Sequence, residues 1–169
     1  MSKTSVLWWA TIALRSMKVR HEIEGLETMT IIPEQEHRED WQKAGDAWGH
    51  AATDWAYRFE PYARDSIEQL FRELPVETGT RVLDVACGAG FALSRAERVG
   101  AVVAGIDASE ALIAIASRRV ATSELVVGSM FELPWGDETF DAVTSFNGIW
   151  GGCQAAVDEA HRVTRRGGS

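Results

Sequence analysis

A short apolar run that ends in a glycine-containing turn restricts the fold of this chain more than any other feature. Residues 82–90 read VLDVACGAG, a pattern typical of a buried strand followed by a turn and a helix. Gly88 and Gly90 lack a Cβ, so the backbone can turn sharply there and approach a ligand closely. Because the first N–H groups of the next helix point at the same place, the turn is a candidate binding site. Asp84 interrupts the buried run, and we expect its carboxylate to have a partner.

The same kind of pattern repeats along the second half of the chain. Short apolar runs alternate with helical stretches from residue 78 onward, which is typical of β–α–β units in a parallel sheet. We predict strands at residues 81–86, 102–106, 124–128 and 140–145. We predict helices at about residues 89–99, 109–119 and 153–165. The expected fold class is therefore α/β, with a parallel sheet of about four strands flanked by helices.

A helical region rich in tryptophan precedes these units. Residues 34–58 and 61–73 lack strand alternation and predict two helices, with a break where Pro61 disfavours helical geometry in the residue before it. Large aromatic residues recur every seven positions with alanines between them: Trp41, Trp48, Trp55 and Tyr62, with Ala44 and Ala51. This spacing places them on one helical face, which must be buried. Packing on the sheet below and an aromatic lid over a ligand are both open at this point.

The first residues differ in character from the rest. The apolar run at residues 5–14 is too short to span a bilayer as a helix. Basic residues follow this run, whereas in a secretory signal they precede it. We therefore expect three parts: an N-terminal extension at residues 1–33, a helical cap at residues 34–77, and the sheet-bearing domain at residues 78–169.

Composition excludes several classes of function. The 169-residue chain has 46% hydrophobic and 25% charged residues, as soluble globular domains do. Its net charge of -8 disfavours nucleic acid as a partner, and no membrane partner is expected. Cys87 and Cys153 form no C-x-x-C pair, so we expect a reduced, cytoplasmic chain without a metal site.

A second acidic residue ends the next predicted strand. Residues 101–107 read AVVAGID, and an acid at the carboxyl end of the second strand of a β–α–β unit is placed to bind both ribose hydroxyls of a nucleoside. Asp107 also lies two residues before Ser109, the expected N-cap of the next helix, where its charge would simply favour the helix terminus. The distance of Asp107 from the glycine turn favours the ribose role.

The glycine turn can be compared with the turns that bind NAD. Those turns follow the pattern G-x-G-x-x-G or G-x-G-x-x-A, and here Leu93 stands at the third small position. Asp84, which precedes the first glycine, is no part of that pattern. A carboxylate there suits a ligand with a cationic end better than a ligand that carries a pyrophosphate.

Taken together, five motifs resemble the class I S-adenosylmethionine-dependent methyltransferases, in particular the small-molecule branch related to ubiquinone and menaquinone biosynthesis. They are VLDVACGAG and VVAGID, together with residues 128–135 (GSMFELPW), 137–143 (DETFDAV) and 159–168 (EAHRVTRRGG). The likeness is close over residues 81–146 and looser over residues 41–168. It implies a Rossmann-like α/β fold, S-adenosyl-L-methionine as cofactor, and methyl transfer to a small-molecule acceptor.

The resemblance also implies a role for individual residues. Asp84, Gly88 and Gly90 would surround the methionine part of the cofactor, and Asp107 would hold the ribose. The remaining expected binding residues are Ser129 and Met130, which would flank the adenine, Phe146 near the methionine moiety, and Ala86 and Ala108.

Two of these positions depart from the family. Its members usually have Gly where this chain has Ala86, which is a mild change. They commonly have Asp where this chain has Ser129, which could offer only a hydroxyl to the adenine amino group.

Other polar residues give weaker signals. Asn147 and Trp150 follow the fourth predicted strand and either contact the acceptor or form a plain loop. Residues 133–137 (LPWGD) are expected to form a loop, which either contacts a ligand or is a plain connection. The four histidines have no spaced partner and are expected on the surface. Arg162, Arg165 and Arg166 end a helix, where their default role is a solvated, dipole-complementing face.

The end of the sequence adds an expectation about partners. In the family a glycine pair such as Gly167-Gly168 precedes a fifth strand, and this chain ends at Ser169. We therefore expect a sheet that is truncated after about four strands. Strand four would have an unpaired outer edge, at which a second copy or another chain could pair.

Two functions of different classes follow from the resemblance, besides the less favoured NAD-dependent enzyme. The first is an active methyltransferase, and the second is a non-catalytic S-adenosylmethionine-binding or interaction module. Methyl transfer from a sulfonium needs mainly alignment and exclusion of water. No catalytic base is therefore assigned.

Overall fold

The computed structural model describes residues 40–121, 124–149 and 153–169. The expected extension at residues 1–33, the start of the first predicted helix and Trp150 lie outside the described residues. Among the residues that are described, no helix is both long and apolar enough to cross a membrane.

The region before the sheet is a nearly continuous helical segment of changing type. It runs through α1 (Trp41–His50), the short α2 (Ala52–Asp54), a π-helical turn (Trp55–Phe59), a 3₁₀ turn (Glu60–Ala63) and α3 (Arg64–Glu73).

The predicted break at Pro61 is wrong. Glu60, the residue before Pro61, has helical angles of φ −51° and ψ −40°. Pro61 stands in the first turn of the 3₁₀ helix, where its missing N–H is not needed. The chain continues in helical geometry, and Glu60 is held there by contacts with the distant residues Ala89 and Arg119.

The prediction that one aromatic face is buried is also wrong in part. Tyr62 is 85% exposed and Trp48 is 38% exposed, whereas the buried positions are small: Gly45, Ala52 and Ala56. A seven-residue repeat drifts around a straight α-helix, and the π-helical turn shifts the later residues further. Small residues at the contact also let the helix approach closely, since a Cβ at Gly45 would lie 2.1 Å from the carbonyl oxygen of Ala108.

The sheet has the predicted architecture. Four parallel strands, β1 (Arg81–Val85), β2 (Val102–Asp107), β3 (Glu124–Val127) and β4 (Ala142–Thr144), lie in the order β3-β2-β1-β4. The register pairs Val85 with Ile106 and Val82 with Ala142. The connecting helices are α4 (Phe91–Arg98) and α5 (Glu110–Ala116), and α6 (Gln154–Val163) follows β4. Each predicted strand and helix of this part is confirmed, with ends that differ by a few residues.

Apolar side chains cover both faces of the sheet, as expected for a parallel sheet. One layer includes Val82, Leu93, Ala96 and Val103. The other includes Leu83, Val85, Ile106, Phe140 and Val163. The carboxyl ends of β1 and β4 thus stand on a packed core, and this core positions the loops that follow them.

The outer edge of β4 is partly covered. Thr164 forms a parallel bridge with Phe140. Ser169 donates a backbone hydrogen bond to Asp141 at 3.1 Å and accepts one from Val143 at 2.8 Å. The expectation of a wholly unpaired edge is therefore corrected, because the residues after α6 turn back along this strand.

Candidate cofactor-binding site

A cavity opens at the carboxyl ends of β1 and β4, where open α/β sheets bind their ligands. It contains about 390 Å³ of space, including the part open to solvent. Its walls combine acidic and aromatic groups with small residues of the glycine turn. The residues that line it include Trp55, Glu60, Asp84, Ala86, Gly88, Phe146 and Asn147.

The two glycines of the turn have different tasks. Gly88 has φ +56° and borders the cavity, and a Cβ there would lie 3.0 Å from Trp55 Nε1. Gly90 has φ +79° and faces the protein interior, where a Cβ would lie 2.9 Å from the Cβ of Ala116. Both positions require glycine, but only Gly88 borders the cavity. Gly90 instead allows the turn to pack against the end of α5.

The backbone N–H groups of the turn are bonded inside the chain. Gly88 N donates to Asp107 Oδ2 at 2.8 Å, and Ala89 N donates to Glu60 Oε1 at 3.0 Å. Gly90 N donates to the carbonyl oxygen of Cys87 at 3.0 Å. The turn is therefore held in shape by two carboxylates from other parts of the chain.

Asp84 has the partner that its burial requires. Its Oδ1 accepts a hydrogen bond from Thr144 Oγ1 at 2.8 Å, across the junction of β1 and β4. Burial raises the pKa of Asp84 to about 7, and the nearby carboxylates of Asp107 and Glu60 act in the same direction, whereas the Thr144 bond lowers it. Asp84 is thus a buried carboxyl that ionises near neutral pH.

Asp107 supports the start of α5, which was the alternative to a ribose-binding role in the sequence analysis. Its Oδ1 accepts from Ser109 N at 2.8 Å, and Ser109 is the N-cap of α5. Its Oδ2 accepts from Gly88 N. Burial raises the pKa of Asp107, while these two backbone bonds lower it. A carboxylate offers about four acceptor positions, so these bonds leave capacity for ribose hydroxyls.

Glu60 and Arg119 were missed in the sequence. Arg119 Nη1 donates to Glu60 Oε2, and Arg119 Nη2 donates to the carbonyl oxygen of Ala56 at 2.8 Å. Burial raises the pKa of Glu60, against the opposing effects of Arg119 and the backbone of Ala89 and Phe91. The only sequence signal was an acid inside an amphipathic helical segment, which is ordinarily read as a solvated residue.

The remaining expected binding residues are spread more widely. Phe146 borders the cavity and packs against Phe71, with ring centroids 6.3 Å apart. Ala108 lies at the end of β2 beneath Gly45. Ser129 and Met130 follow β3 and do not border this cavity. The Ser129 hydroxyl accepts a local bond from Phe131 N at 3.2 Å, and Met130 packs against both apolar clusters near Phe131 and Leu133.

Two cavity residues adopt left-handed backbone angles without being glycine. Asn147 has φ +61° and Ala86 has φ +55°. Asparagine tolerates this region better than most residues, whereas alanine is strained there. Alanine in place of glycine at position 86 therefore strains the backbone, and it is not the mild change that was expected from the sequence. Its Cβ also faces the next loop, since a Cβ at Gly148 would lie 2.3 Å from it.

Arg162 is partly exposed, but it does more than the solvated, dipole-complementing role predicted from the sequence. Its guanidinium donates to the carbonyl oxygens of Leu133 and Trp135 at 3.1 and 2.8 Å, and it pairs with Glu159 and Asp137. These bonds fix the loop at residues 133–137 to α6, so this loop is a structural connection. Across the described part of the chain, no group of three or more His, Cys, Asp or Glu side chains is placed to hold a metal ion.

Comparison of the sequence with known proteins identifies relatives of the chain. The profile of a family described as "Methyltransferase domain" matches residues 82–168. The demethylmenaquinone methyltransferase of Geobacillus kaustophilus is 35% identical over 111 residues, which are 60% of this chain and 47% of that protein. The enzyme of the same name from Staphylococcus aureus strain JH9 is 36% identical over 109 residues, 60% of this chain and 45% of that protein. The chain thus spans about half the length of these relatives.

Solved structures agree with the sequence relatives. The YcgJ protein of Bacillus subtilis has a TM-score of 0.57 and 25% identity, over 62% of this chain and 48% of that one. A chain from the complex between a Haloferax volcanii methyltransferase activator and a methyltransferase has a TM-score of 0.65 and 25% identity, over 73% of this chain and 57% of that one. With the sheet order and the family match over residues 82–168, these likenesses confirm the expected family, and the chain belongs to the methyltransferase domain family with a Rossmann-like α/β fold.

Proposed function

We propose that this chain binds S-adenosyl-L-methionine in the cavity at the ends of β1 and β4 and transfers its methyl group to a small-molecule acceptor. The observation that carries this proposal is Asp84, a buried carboxyl at the end of β1 that borders a cavity with aromatic walls. Ligands of the open α/β fold bind at this edge. The family match supports the reaction.

The cavity fits the chemical character of that cofactor. S-adenosylmethionine carries a positively charged sulfonium, an ammonium group and one carboxylate, so its positive charges exceed its negative one. The cavity presents the carboxyls of Asp84 and Glu60 together with the rings of Trp55 and Phe146. Carboxylates and aromatic faces both attract cations. A cation beside Asp84 would favour its ionised form. The site therefore gains charge complementarity when it is filled.

The assignment of cofactor parts to residues follows the position of each residue. Asp84 and the turn at Gly88 would bind the methionine part, with Phe146 beside it. The free acceptor capacity of Asp107 would bind the ribose. Ser129, Met130 and Ala108 would lie toward the adenine, although Ser129 and Met130 are outside the present cavity.

S-adenosylmethionine supplies a methyl group that is already activated by its sulfonium sulfur. The protein must then orient the acceptor in line with the methyl group and exclude water. Trp55 and Phe146, which both line the cavity, are suited to exclude water. Asn147 borders the same cavity and is exposed, so its amide is available to orient a polar acceptor. No residue needs to act as a general base if the acceptor loses its proton readily to solvent.

The names of the relatives support a small-molecule acceptor. Both demethylmenaquinone methyltransferases are named for a quinone precursor. Further aromatic residues, Phe59 and Phe91, also line the cavity. Their rings suit a flat, apolar acceptor. We further propose a cytoplasmic location, which suits a chain whose Cys87 thiol is buried in the core beneath the glycine turn.

Calorimetric titration of the purified chain with S-adenosylhomocysteine tests the cofactor site. Saturable binding that is lost in Asp107→Ala, with no binding of NAD, is the expected result. Binding of NAD in preference to S-adenosylhomocysteine, or no binding by the folded chain, would refute the proposal. Screening quinol-like and other small acceptors for methyl transfer then separates an enzyme from a non-catalytic binding module, which would bind and never turn over.

The outer edge of β4 supports a proposal about partners. Ser169 pairs with Asp141 and Val143 on that side, and among the described strands β4 pairs only with β1. We infer that a further strand can pair along this edge, contributed by this protein itself, a second copy or another chain. Sedimentation equilibrium tests this, and a strictly monomeric chain over a wide concentration range would contradict self-association.

A further inference from the structure

The carboxylate of Glu60 occupies the place above the glycine turn where a nucleotide-binding turn holds an anion. Its Oε1 accepts from Ala89 N at 3.0 Å, and the backbone of Phe91 also stabilises its charge. The start of α4 has a partial positive charge from its free N–H groups. Glu60 therefore neutralises this end of the helix from within the chain.

Arg119 holds Glu60 in this position. One side of its guanidinium pairs with Glu60 Oε2, and the other donates to the Ala56 carbonyl at 2.8 Å. The guanidinium also lies over the ring of Tyr57, 5.4 Å from its centroid. Only 8% of the Glu60 side chain is exposed. The carboxylate is thus fixed on two sides and does not swing freely into solvent.

The bonded N–H groups of the turn restrict which ligands can bind there. In dinucleotide-binding folds the N–H groups of such a turn bind the pyrophosphate. In this chain Glu60 and Asp107 accept from those groups, and Asp84 borders the same cavity. A phosphate would have to displace Glu60 and approach two further carboxyls.

We propose that Glu60, positioned by Arg119, is a specificity-determining residue that closes the glycine turn to phosphate-bearing ligands. This inference deepens the proposed function, on which it rests, because it explains how the turn of the cofactor site excludes the pyrophosphate of a dinucleotide. Discrimination by an unfavourable charge against the wrong ligand is a common means of specificity.

Removing the carboxylate should uncover an anion site. In Glu60→Ala the N–H group of Ala89 and the guanidinium of Arg119 lose their shared acceptor, and inorganic pyrophosphate would bind between them. We expect at least a tenfold gain in pyrophosphate affinity over the wild-type chain, measured by calorimetry. The double variant Glu60→Ala/Arg119→Leu should lose most of this gain.

A matched control and a milder variant keep the experiment decisive. Glu110→Gln removes an acid from the first turn of α5, away from the cavity, and should bind pyrophosphate no better than the wild type. If Glu60→Ala does not fold, Glu60→Gln is used in its place, and we expect its affinity for pyrophosphate to exceed that of the wild type by about threefold. Equal pyrophosphate affinity in all folded variants would overturn the inference. Titration of the wild-type chain with S-adenosylhomocysteine is a separate arm, and its failure would count against the proposed function itself.

Discussion

Thr144 donates a hydrogen bond from its hydroxyl to the buried carboxyl of Asp84 at 2.8 Å and so joins β4 to β1 beside the cavity. Thr144→Val keeps the shape of the side chain and removes the donor. We expect the free energy of unfolding to fall by about 1–3 kcal/mol, because a buried acceptor loses its partner. Urea unfolding at pH 7 measures this.

The same variant should change how Asp84 titrates. The Thr144 bond lowers the pKa of Asp84, so its loss should raise that pKa further above about 7. Carbon-detected NMR titration of the carboxyl reports the shift directly. Thr144→Ser keeps a hydroxyl and is the control: an equal loss of stability in both variants would point to packing and not to the hydrogen bond.

The stability of the ligand-free chain should depend on pH in a particular direction. Asp84 has a pKa of about 7 in the folded chain against an ordinary value of 3.8. Between these values the folded chain holds a proton that the unfolded chain has lost. The free energy of unfolding should therefore fall as the pH rises from about 4 to 7, by at most about 1.4 kcal/mol per pH unit from this group.

Asp84→Asn should remove most of this fall, because an amide does not ionise and can still accept from Thr144. Urea unfolding at several values between pH 4 and 8 provides the comparison. Glu60 and Asp107, whose pKa values are also raised, leave a smaller slope of the same sign. An undiminished slope in Asp84→Asn would show that Asp84 is not the group responsible.

Two glycines of α1 should respond in opposite ways to substitution by alanine. A Cβ at Gly45 would lie 2.1 Å from the backbone of Ala108, whereas at Gly49 the nearest atom would be 3.4 Å away. Gly45→Ala should push α1 off the end of β2 and lower the thermal midpoint by several degrees. Gly49→Ala should raise it slightly, since alanine favours a helix by about 1 kcal/mol over glycine. Similar effects at both positions would mean that α1 does not pack in this way.

Relief of backbone strain at Ala86 should stabilise the chain. Ala86 has φ +55°, which costs an ordinary residue about 1–2 kcal/mol. Ala86→Gly should raise the free energy of unfolding by about 1 kcal/mol, measured by urea unfolding. Glu138, an exposed residue at φ +52° that does not line the cavity, gives a comparison through Glu138→Gly. A loss of stability in Ala86→Gly alone would mean that packing of the Ala86 Cβ against the loop near Gly148 outweighs the strain.

Much of the fold could be predicted because its signals are local. The apolar runs of β1 and β2, and the glycines between them, lie within a few residues of one another. The sequence predicted that Asp84 has a partner, because a carboxyl in a buried strand needs one. It could not identify Thr144 as that partner, since the two residues meet only because β4 lies beside β1 in the sheet. The competing local role of Asp107, support for the Ser109 N-cap, could likewise be predicted because the two residues are only two positions apart.

The missed contacts are those that join distant segments. Glu60 meets Arg119 and Ala89 only after the helical cap has packed on the sheet. Arg162 reaches back to the carbonyl oxygens of Leu133 and Trp135 in the same way. The π-helical turn at Trp55–Phe59 has no sequence pattern of its own, and it carries Tyr62 away from the face that a constant helical period predicts.

The internal bonding of the glycine turn bears on how a ligand would enter the site. Gly88, Ala89 and Gly90 already have acceptors in the ligand-free chain, so the conformational entropy of ordering this turn is lost during folding and not during association. The receptor surface under the ligand is rigid from the outset. Any adjustment that accompanies association must then fall to Trp55 and its neighbours above the turn, the part of the cavity wall built from the weakest helical geometry.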